Sequence, residues 1–510
     1  METVEPLHQK THQELLAMVA AQQLKLDEQS TKIETLQHQL AIALHARFGR
    51  KSEQVSNDGH VQLDLFDEAQ ILPSQVEAAK KDDEALTVAS YQRSRKAGGR
   101  KPLPADLPRT QIIHDLPDTE KTCSCGCALT CIGEVKSEQL EIVPAVVTVI
   151  EHVRLKYACK TCELTIKTAP NPAQPIPKSV ATPSLLAHIA VSKFDDHLPL
   201  YRLEEIFNRH GIELSRMTLS SWMIRCGELV QPLINLLHDE INAYDIAYAD
   251  ETPVQVLRQK GMSPTKKNYM WLFTGGPPEK RCCLYHYEPS RASHVPAKLL
   301  DSFEGYLHCD AYKGYLPLFV TRPILGVGCW AHVRRKFIDI TKTVKTRGLA
   351  HEAVERIAQL YQLEKSIKEK ELDENACYQH RQEHAAPLLD VFHRWLEENS
   401  RRVPPQSPIG KAITYALNQW RYLLNYLKDG RLEIDNNRSE RGIKPFVIGR
   451  KNWLFMGNYQ GAKAAANLFS LIESAKANGF NPFDYLKHVF EKLPSCKTLE
   501  DFEALMPFKK

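Results

Sequence analysis

A single carboxylate stands inside a strongly basic segment near the carboxyl end of the chain. The cations around Glu440 are Arg438, Arg441, Lys444, Arg450 and Lys451. The side chains of Asp435, Asn436 and Asn437 can accept from the free N–H groups of a helix, so we expect a helix to begin there. Pro445 is expected to end that helix. Taken alone, such a glutamate is typical of a surface ion pair.

Two acidic residues upstream follow apolar, strand-like runs. Asp250 follows residues 247–249, and Asp310 follows residues 305–309. In open α/β sheets, ligands bind at the rim where strands end. Two strand-end aspartates and a helical glutamate can hold two divalent ions about 4 Å apart, which polarise a phosphate and activate a hydroxyl. Each aspartate taken alone is also a common turn former.

Together these blocks resemble those of a DDE transposase, specifically of the insertion sequence 66 family. The matching blocks are Asp250-Glu251-Thr252, Asp310 through Tyr315, and Asp435 through Phe455. The resemblance implies an RNase H-like α/β core with a mixed sheet. It also implies that Asp250, Asp310 and Glu440 are the catalytic residues and hold two Mg²⁺ or Mn²⁺ ions.

Composition sets the wider class. A chain of 510 residues should form three or four units rather than one core. Its net charge is only +4, so clusters of charge say more than the total. The 13 cysteines favour a reducing compartment and a metal site over a disulfide framework. Without a signal-peptide pattern or a run of roughly 20 apolar residues, we expect a cytoplasmic protein, nucleoid-associated when bound to DNA, with no membrane contact.

The first 110 residues are predicted to hold a coiled coil and a linker. Residues 1–50 carry an apolar residue every seven positions, which predicts a coiled coil and self-association; the alternative is a helix packed on its own protein. Residues 51–110 read as a flexible linker that ends in a basic arm. The arm can enter a DNA minor groove or remain a solvated linker. Its cations are Arg95, Arg100 and Lys101.

Clustered cysteines predict a zinc-binding module over residues 111–168. Cys159 and Cys162 have the spacing that lets two thiolates reach one tetrahedral Zn²⁺. Cys123 and Cys125 would complete one structural site, with Cys127 as the alternative ligand, because the first pair departs by one residue from the family's spacing. Two strands are expected between the pairs, over residues 138–144 and 146–153. The alternative is a set of buried free thiols.

Residues 178–235 are predicted to be a helical DNA-binding region. Helices are expected over residues 185–193, 203–209 and 215–225. A turn at Gly211 and a cap at Ser215 or Thr218 give this stretch the outline of a helix-turn-helix. Arg216 would then reach DNA from the second helix. Ordinary helical hairpins have the same pattern.

The catalytic core is predicted over residues 240–340 and 425–477. Strand-like and helical runs follow the order of an RNase H-like fold, so Asp250 and Asp310 should be neighbours on adjacent strands. Glu251 should point to the opposite face of its strand and is not chosen. Two further segments complete the chain: an all-helical insertion over residues 341–424, and a C-terminal module over residues 478–510 to which no chemistry is assigned.

Cys329 and His332 form a Cys-x-x-His motif that resembles a recurrent transposase block. We expect His332 beside the active site; a zinc pair here would need more ligands. Packing by Trp330 beside solvated arginines is the alternative. The resemblance also implies that nearby cations grip backbone phosphates, which gives salt-sensitive binding without sequence preference. These cations are Arg334, Arg335, Arg438, Arg441, Lys444, Arg450 and Lys451.

The implied function is DNA transposition. Such a protein binds the terminal inverted repeats of its element, frees a 3′-OH by hydrolysis and directs that 3′-OH at target DNA. Small accessory proteins of the same element are candidate partners. Two other readings stay open. One is a catalytically silent, zinc-containing DNA-binding protein derived from a transposase, and the other is a metal nuclease that does not join strands.

Overall fold

A computed structural model of the chain describes residues 147–158, 166–343 and 346–508, together with the isolated Gln22. The chain divides into two units, one formed by Met1–Lys51 and Arg154–Lys510 and the other by Ser52–Val153. Several predictions concern residues outside the described part. They are the coiled coil, the basic arm with Arg95, Arg100 and Lys101, and the zinc ligands Cys123, Cys125, Cys127, Cys159 and Cys162.

A short hairpin begins the first unit's described part. Strands β1 (Lys156–Ala158) and β2 (Ile166–Thr168) pair in antiparallel fashion. The strand expected over residues 146–153 is wrong where it is described, because residues 147–153 form no strand and all are exposed. Valine and isoleucine favour strands through packing against a partner strand. None of the described strands pairs with this stretch.

Four helices precede the main sheet. They are α1 (Pro183–Phe194), α2 (Leu200–Arg209), α3 (Arg216–Leu229) and α4 (Gln231–Ala243). Gly211 turns the chain between α2 and α3 with φ +76°, a conformation that favours glycine. Ser215 caps α3, since its hydroxyl accepts from the N–H of Thr218 at 3.2 Å. The three helices expected here are therefore present, and the first of the two cap candidates is used.

A mixed sheet of six strands lies in the first unit. Its strands are β3 (Ile246–Arg258), β4 (Lys267–Gly275), β5 (Cys282–Glu288), β6 (Gly305–His308), β7 (Ile324–Val327) and β8 (Met456–Asn458). The order across the sheet is β5-β4-β3-β6-β7, and β8 pairs with β3 beyond the end of β6. The first three strands are antiparallel, whereas β6, β7 and β8 run parallel to β3.

The remaining described elements are mostly helices. They are α5 (His294–Leu299), α6 (Leu318–Thr321), α7 (Trp330–Thr341), α8 (Leu349–Glu369), α9 (Glu374–His380), α10 (Ala386–Ser400), α11 (Pro408–Leu423), α12 (Asn437–Trp453), α13 (Tyr459–Ala477), α14 (Pro482–Lys492) and α15 (Leu499–Glu503). A π-helical turn, Arg381–Ala385, joins α9 to α10. Residues 341–424, which are predicted from the sequence to be all-helical, thus contain helices α8 to α11. None of the described helices is long and apolar enough to cross a membrane.

Helix α13 covers the outer edge of the sheet. The hydroxyls of Ser470 and Ser474 accept from the N–H groups of Tyr285 and Cys283 in β5, at 2.8 and 2.9 Å. The amide of Asn478 both donates to and accepts from Arg281. The free N–H groups of an edge strand are therefore satisfied by helix side chains, which closes this edge to further strand pairing.

The same helix packs tightly against α3. A Cβ added at Gly227 would lie 2.5 Å from both Cα and Cβ of Ala464. The carbonyl of Gly227 also accepts from the side-chain amide of Asn467 at 2.8 Å. The two helices can approach this closely only because position 227 has no side chain.

We expect Gly227→Ala to lower the free energy of unfolding by about 1–3 kcal/mol, because α3 and α13 would have to separate. Alanine is the better helix former by about 1 kcal/mol, so propensity alone predicts the opposite sign. Urea denaturation measures the difference. Ser221→Ala, at an exposed position of α3, is the matched control and should change little. An unchanged midpoint for the Gly227 variant would contradict the packing argument.

Candidate active site

The parallel pairing of β3 and β6 brings Asp250 and Asp310 to the same place. Tyr248 lies opposite His308, the last residue of β6, so Asp250 and Asp310 each follow this pair by two residues, and the charge of Asp310 acts on Asp250. Asp250 Oδ1 accepts from the N–H of Glu251 at 2.8 Å, and Asp310 Oδ1 from the N–H of Tyr312 at 2.9 Å. Each carboxylate is thus oriented by a local backbone bond.

Asp250 lies inside a strand, whereas the sequence suggested that it lies at the end of one. β3 continues to Arg258, and Asp250 pairs with Leu272 of β4. The apolar run ends at Ala249, but beyond Glu251 buried and exposed residues alternate, which keeps the strand going. The neighbouring strand β6 ends before it reaches the level of Asp250. Asp250 therefore lies where β3 has no partner on its β6 side, at the rim of the sheet.

A cavity of about 360 Å³ lies beside this rim. It extends from Asp310 and the turn after it to the end of β7 and the last turn of α11. The helical insertion thus supplies one wall of the space next to Asp310.

Negative charge is crowded at Asp250. Burial raises the pKa of this carboxyl to about 8, and the charges of Glu251, Asp310 and Glu440 act in the same direction. The backbone N–H of Glu251 opposes the shift. A divalent cation would relieve this repulsion, because it favours the charged form of each carboxyl.

Glu440 lies in the first turn of α12, with its side chain 16% exposed. Its Oε1 is 3.6 Å from Nδ1 of His332, and its Oε2 is 3.7 Å from Nη2 of Arg335. Burial lowers the pKa of His332, while the charge of Glu440 opposes this. His332 Nδ1 and Glu440 Oε1 are both buried without a hydrogen bond in the described part of the chain. Unpaired buried polar atoms of this kind suit a bound cation or water.

Among the described residues, Cys329, His332 and Glu440 bring their ligand atoms within 4.8 Å of one another. Asp250 and Asp310 are not part of that group. The Cys-x-x-His pair therefore has a third neighbour, and that neighbour is the glutamate itself.

The loop before α12 ties Glu440 to the sheet. The side-chain amide of Asn436 donates to the carbonyl of Ala249 at 3.0 Å, and its backbone N–H donates to Cys329 Sγ at 3.2 Å. Asp435 Oδ1 accepts from the N–H of Asn437 at 3.1 Å, whereas Asn436, the N-cap residue, makes no side-chain hydrogen bond to the free N–H groups of the helix. The start of α12 is thereby bonded to Ala249, which precedes Asp250 in β3.

Pro445 does not end this helix, contrary to the expectation from sequence. α12 runs from Asn437 to Trp453 with Pro445 inside it. Proline removes one backbone hydrogen bond, but Ile443 and Phe446 on either side of it are buried. A Cβ at Gly442 would lie 2.8 Å from Leu272 Cδ2, so the helix sits close against β4. Tertiary packing of this face outweighs the lost bond.

The Glu251 side chain is buried and bonded to other side chains of the protein. Its side chain is 2% exposed, accepts from Arg291 Nε at 2.7 Å, and accepts from the Tyr315 hydroxyl at 2.7 Å. Arg291 also lies over the ring of Tyr312, 3.9 Å from its centroid. Sequence reasoning left Glu251 out but missed Arg291, because its separation of 40 residues from Glu251 carries no local signal.

Comparison with known proteins identifies the chain. The family model described as "Transposase IS66 family" matches residues 178–464. The chain belongs to this family. Three further models match other parts of it: "IS66 C-terminal element" over residues 470–508, "zinc-finger binding domain of transposase IS66" over 120–163, and "Transposase C of IS166 homeodomain" over 35–112. The resemblance inferred from the acidic blocks is confirmed along the whole IS66 architecture.

Relatives of similar length occur in Sinorhizobium fredii. The uncharacterized protein y4jD is 34% identical over 501 residues, covering 95% of this chain and 96% of the relative. The uncharacterized protein y4qI is 32% identical, covering 97% of this chain and 93% of the relative. Membership of the IS66 transposase family implies DNA binding, a divalent metal for the DDE domain, and zinc for the zinc-finger domain.

The cations of this IS66 transposase differ in what they contact. Arg450 Nη1 donates to Thr252 Oγ1 at 3.0 Å and to the carbonyl of Pro253, and burial lowers its pKa. Arg438 lies 5.1 Å from the ring centroid of Tyr248. Others in the predicted DNA-binding set lie at the surface to different degrees: Arg216, Arg335, Arg441 and Lys451 are exposed, and Arg334 and Lys444 are half-buried.

Proposed function

We propose that this IS66 family transposase cleaves and joins DNA at a site formed by Asp250, Asp310 and Glu440. The observation that carries the proposal is the convergence of two elements, β6 and the start of α12, on one point of β3. β6 pairs with β3 up to Tyr248, and Asn436 at the start of α12 binds the carbonyl of Ala249. The next residue is Asp250.

The sheet supports an RNase H-like core. Three antiparallel strands followed by two parallel ones, in the order β5-β4-β3-β6-β7, is the arrangement that such a fold requires. In the proposal β3 is its central strand and carries the first acid. Residues 341–424 would be an insertion into this core, placed between the second and third acids.

The residues present suit divalent metal ions. Asp250 and Asp310 would hold them side by side, and Glu440 would complete the set from α12. When bound, two Mg²⁺ or Mn²⁺ ions would polarise the scissile phosphate and activate water or a 3′-OH. His332 and Arg335 would orient the Glu440 carboxylate. Arg441 would neutralise backbone phosphates next to the site, and Lys451 would do so farther away, in the last turn of α12.

The other modules complete the proposal. The zinc-finger region would use Cys123, Cys125, Cys159 and Cys162, with Cys127 as the alternative ligand, for one structural Zn²⁺. The predicted coiled coil would mediate self-association. The helical region around Arg216 would contribute to recognition of the terminal inverted repeats, and small proteins of the same element would assist.

The test uses purified protein, labelled element ends and a target plasmid with Mg²⁺ or Mn²⁺. We expect the wild type to nick the ends and join them to the plasmid. Asp310→Asn should abolish both reactions while end binding persists, because the amide keeps the shape of the side chain and removes its charge. Strand transfer retained in this variant would overturn the assignment of the acids. End binding without nicking by the wild type, with the accessory proteins present, would favour the catalytically silent alternative.

A further inference from the structure

Two stretches of the chain contain no acidic residue. Residues 252–278 and 441–472 lack aspartate and glutamate entirely. The first carries Arg258, Lys260, Lys266 and Lys267 around the turn between β3 and β4. The second includes Lys451 and the apolar pair Leu454 and Phe455 at the end of α12.

The fold joins these two stretches. β8 pairs in parallel with the last residues of β3, with Val256 opposite Met456 and Arg258 opposite Asn458. Arg258 Nε also lies 3.5 Å from the carbonyl of Gly457. We call the combined surface the distal platform and define it by Arg258, Lys260, Lys266, Lys267, Lys451, Leu454 and Phe455.

The cations of the distal platform are all exposed. None of the ion pairs within the described ranges involves any of the five. A cluster of like charges without counter-charges weakens the folded state. The clustering of these cations in one place indicates a polyanionic partner, whereas a second copy of the same surface would repel them.

The apolar part of the platform is held in a strained turn. Leu454 has φ +64°, and the N–H of Phe455 donates to the carbonyl of Trp453 at 2.8 Å, which makes a γ-turn of the rare, strained kind. The two side chains remain 66% and 45% exposed. The turn therefore presents leucine and phenylalanine to solvent among cations, as in surfaces that meet the sugars and base edges of DNA.

The position of the platform sets its distance from the proposed cleavage site. Arg258 lies eight residues beyond Asp250 along β3, which is about 26 Å at the rise of a strand. B-form DNA covers that distance in about eight base pairs. We propose that the distal platform binds the DNA duplex about eight base pairs from the phosphate that is cut, with its cations on the backbone and Leu454 and Phe455 in the groove. This inference rests on the proposed function for the location of the cut.

The test is a binding series on duplexes that extend 4, 8, 12 or 16 base pairs from the terminal base pair of the element end; the lengths are chosen to bracket about eight base pairs. The variant Arg258→Gln, Lys260→Gln, Lys266→Gln, Lys267→Gln should bind the long duplexes at least about tenfold more weakly than the wild type. The slope of log affinity against log salt should fall by about 3. On the shortest duplex the two proteins should bind alike.

The matched control removes four exposed cations from the helical insertion, through Arg394→Gln, Arg401→Gln, Arg402→Gln and Lys411→Gln. It makes the same change in net charge and should leave the length dependence intact. Equal affinity of the platform variant and the wild type on every duplex, with nicking normal, would overturn the platform and leave the proposed function standing. Absence of nicking in the wild type would remove the proposed function, and a length-dependent loss of binding would then still support the platform. A platform variant that changes self-association by light scattering instead of DNA binding would show that the surface contacts another copy.

Discussion

Glu440→Gln should lower both strand cleavage and strand joining by about a thousandfold. The amide matches the carboxylate in size but carries no charge, and its NH₂ group cannot ligate a cation. The helix should be unaffected, since Asn436 and Asp435 fix the start of α12 through bonds that do not involve Glu440. DNA binding should stay the same or tighten, because one negative charge leaves a basic surface. Gel analysis of labelled ends, with binding measured on the same samples, tests both statements.

The matched control for this variant is Glu433→Gln. Glu433 is a second half-buried glutamate seven residues earlier, and burial raises the pKa of its carboxyl. It should keep cleavage within a few-fold of wild type, since it lies before α12 and the charges that act on it include Arg438 and Asp435 but not Asp250 or Asp310. Equal losses in both variants would mean that the charge of the segment matters and not a ligand at position 440. Joining by Glu440→Gln at the wild-type rate would exclude Glu440 from the metal set.

Arg381→Met should reduce the free energy of unfolding by about 3–5 kcal/mol. Arg381 is 4% exposed and donates to the Glu364 carboxylate from Nε and Nη2, at 2.9 and 2.7 Å. It also donates to the carbonyls of Tyr426, Asp429 and Leu432, at 3.1, 3.0 and 2.8 Å. Methionine fills the space but leaves a buried carboxylate and several carbonyls without a donor. Urea denaturation, followed by circular dichroism, measures the loss.

A double variant separates the two costs. Arg381→Met combined with Glu364→Met removes the stranded carboxylate, so it should recover part of the loss while the carbonyls stay unpaired. Arg431→Met serves as the single-site control, because Arg431 pairs with Asp245 and Asp429 but is partly exposed. It should cost less than the change at Arg381. An unchanged unfolding midpoint for Arg381→Met would contradict this account of the buried arginine.

The sequence predicts which helices and strands this transposase contains better than it predicts the residues at which they begin and end. The strands on either side of Asp250 and Asp310, the capped helix at Ser215 and the helices of residues 342–424 follow from local periodicity and capping. The family follows from three acidic blocks whose order is recognisable without any structure. Each of these signals lies within a short stretch of chain.

The missed features depend on contacts between distant stretches. α12 passes through Pro445 because Gly442 lets the helix rest on Leu272, and β3 passes Asp250 because β4 pairs with it as far as Gln255. The salt bridge of Glu251 with Arg291 spans 40 residues, and that of Glu364 with Arg381 spans 17. Conversely, residues 147–153 have the composition of a strand and form none. Local pattern states what a segment can do, whereas its packing partners decide what it does.

The packing of helix α13 has a geometric consequence for any DNA that contacts both Arg216 and Asp250. It is fastened to α3 at Gly227 and to β5 through two serines, so Arg216 and Asp250 are carried on one stiff frame. In the proposed function these residues belong to a reading helix and a cutting site. A frame of this kind fixes the distance between the two points that the protein contacts on an element end. The base sequence between these points is free to vary, but the number of base pairs is not. Each base pair added would turn the cut phosphate by about 35° around the duplex axis, away from the carboxylates.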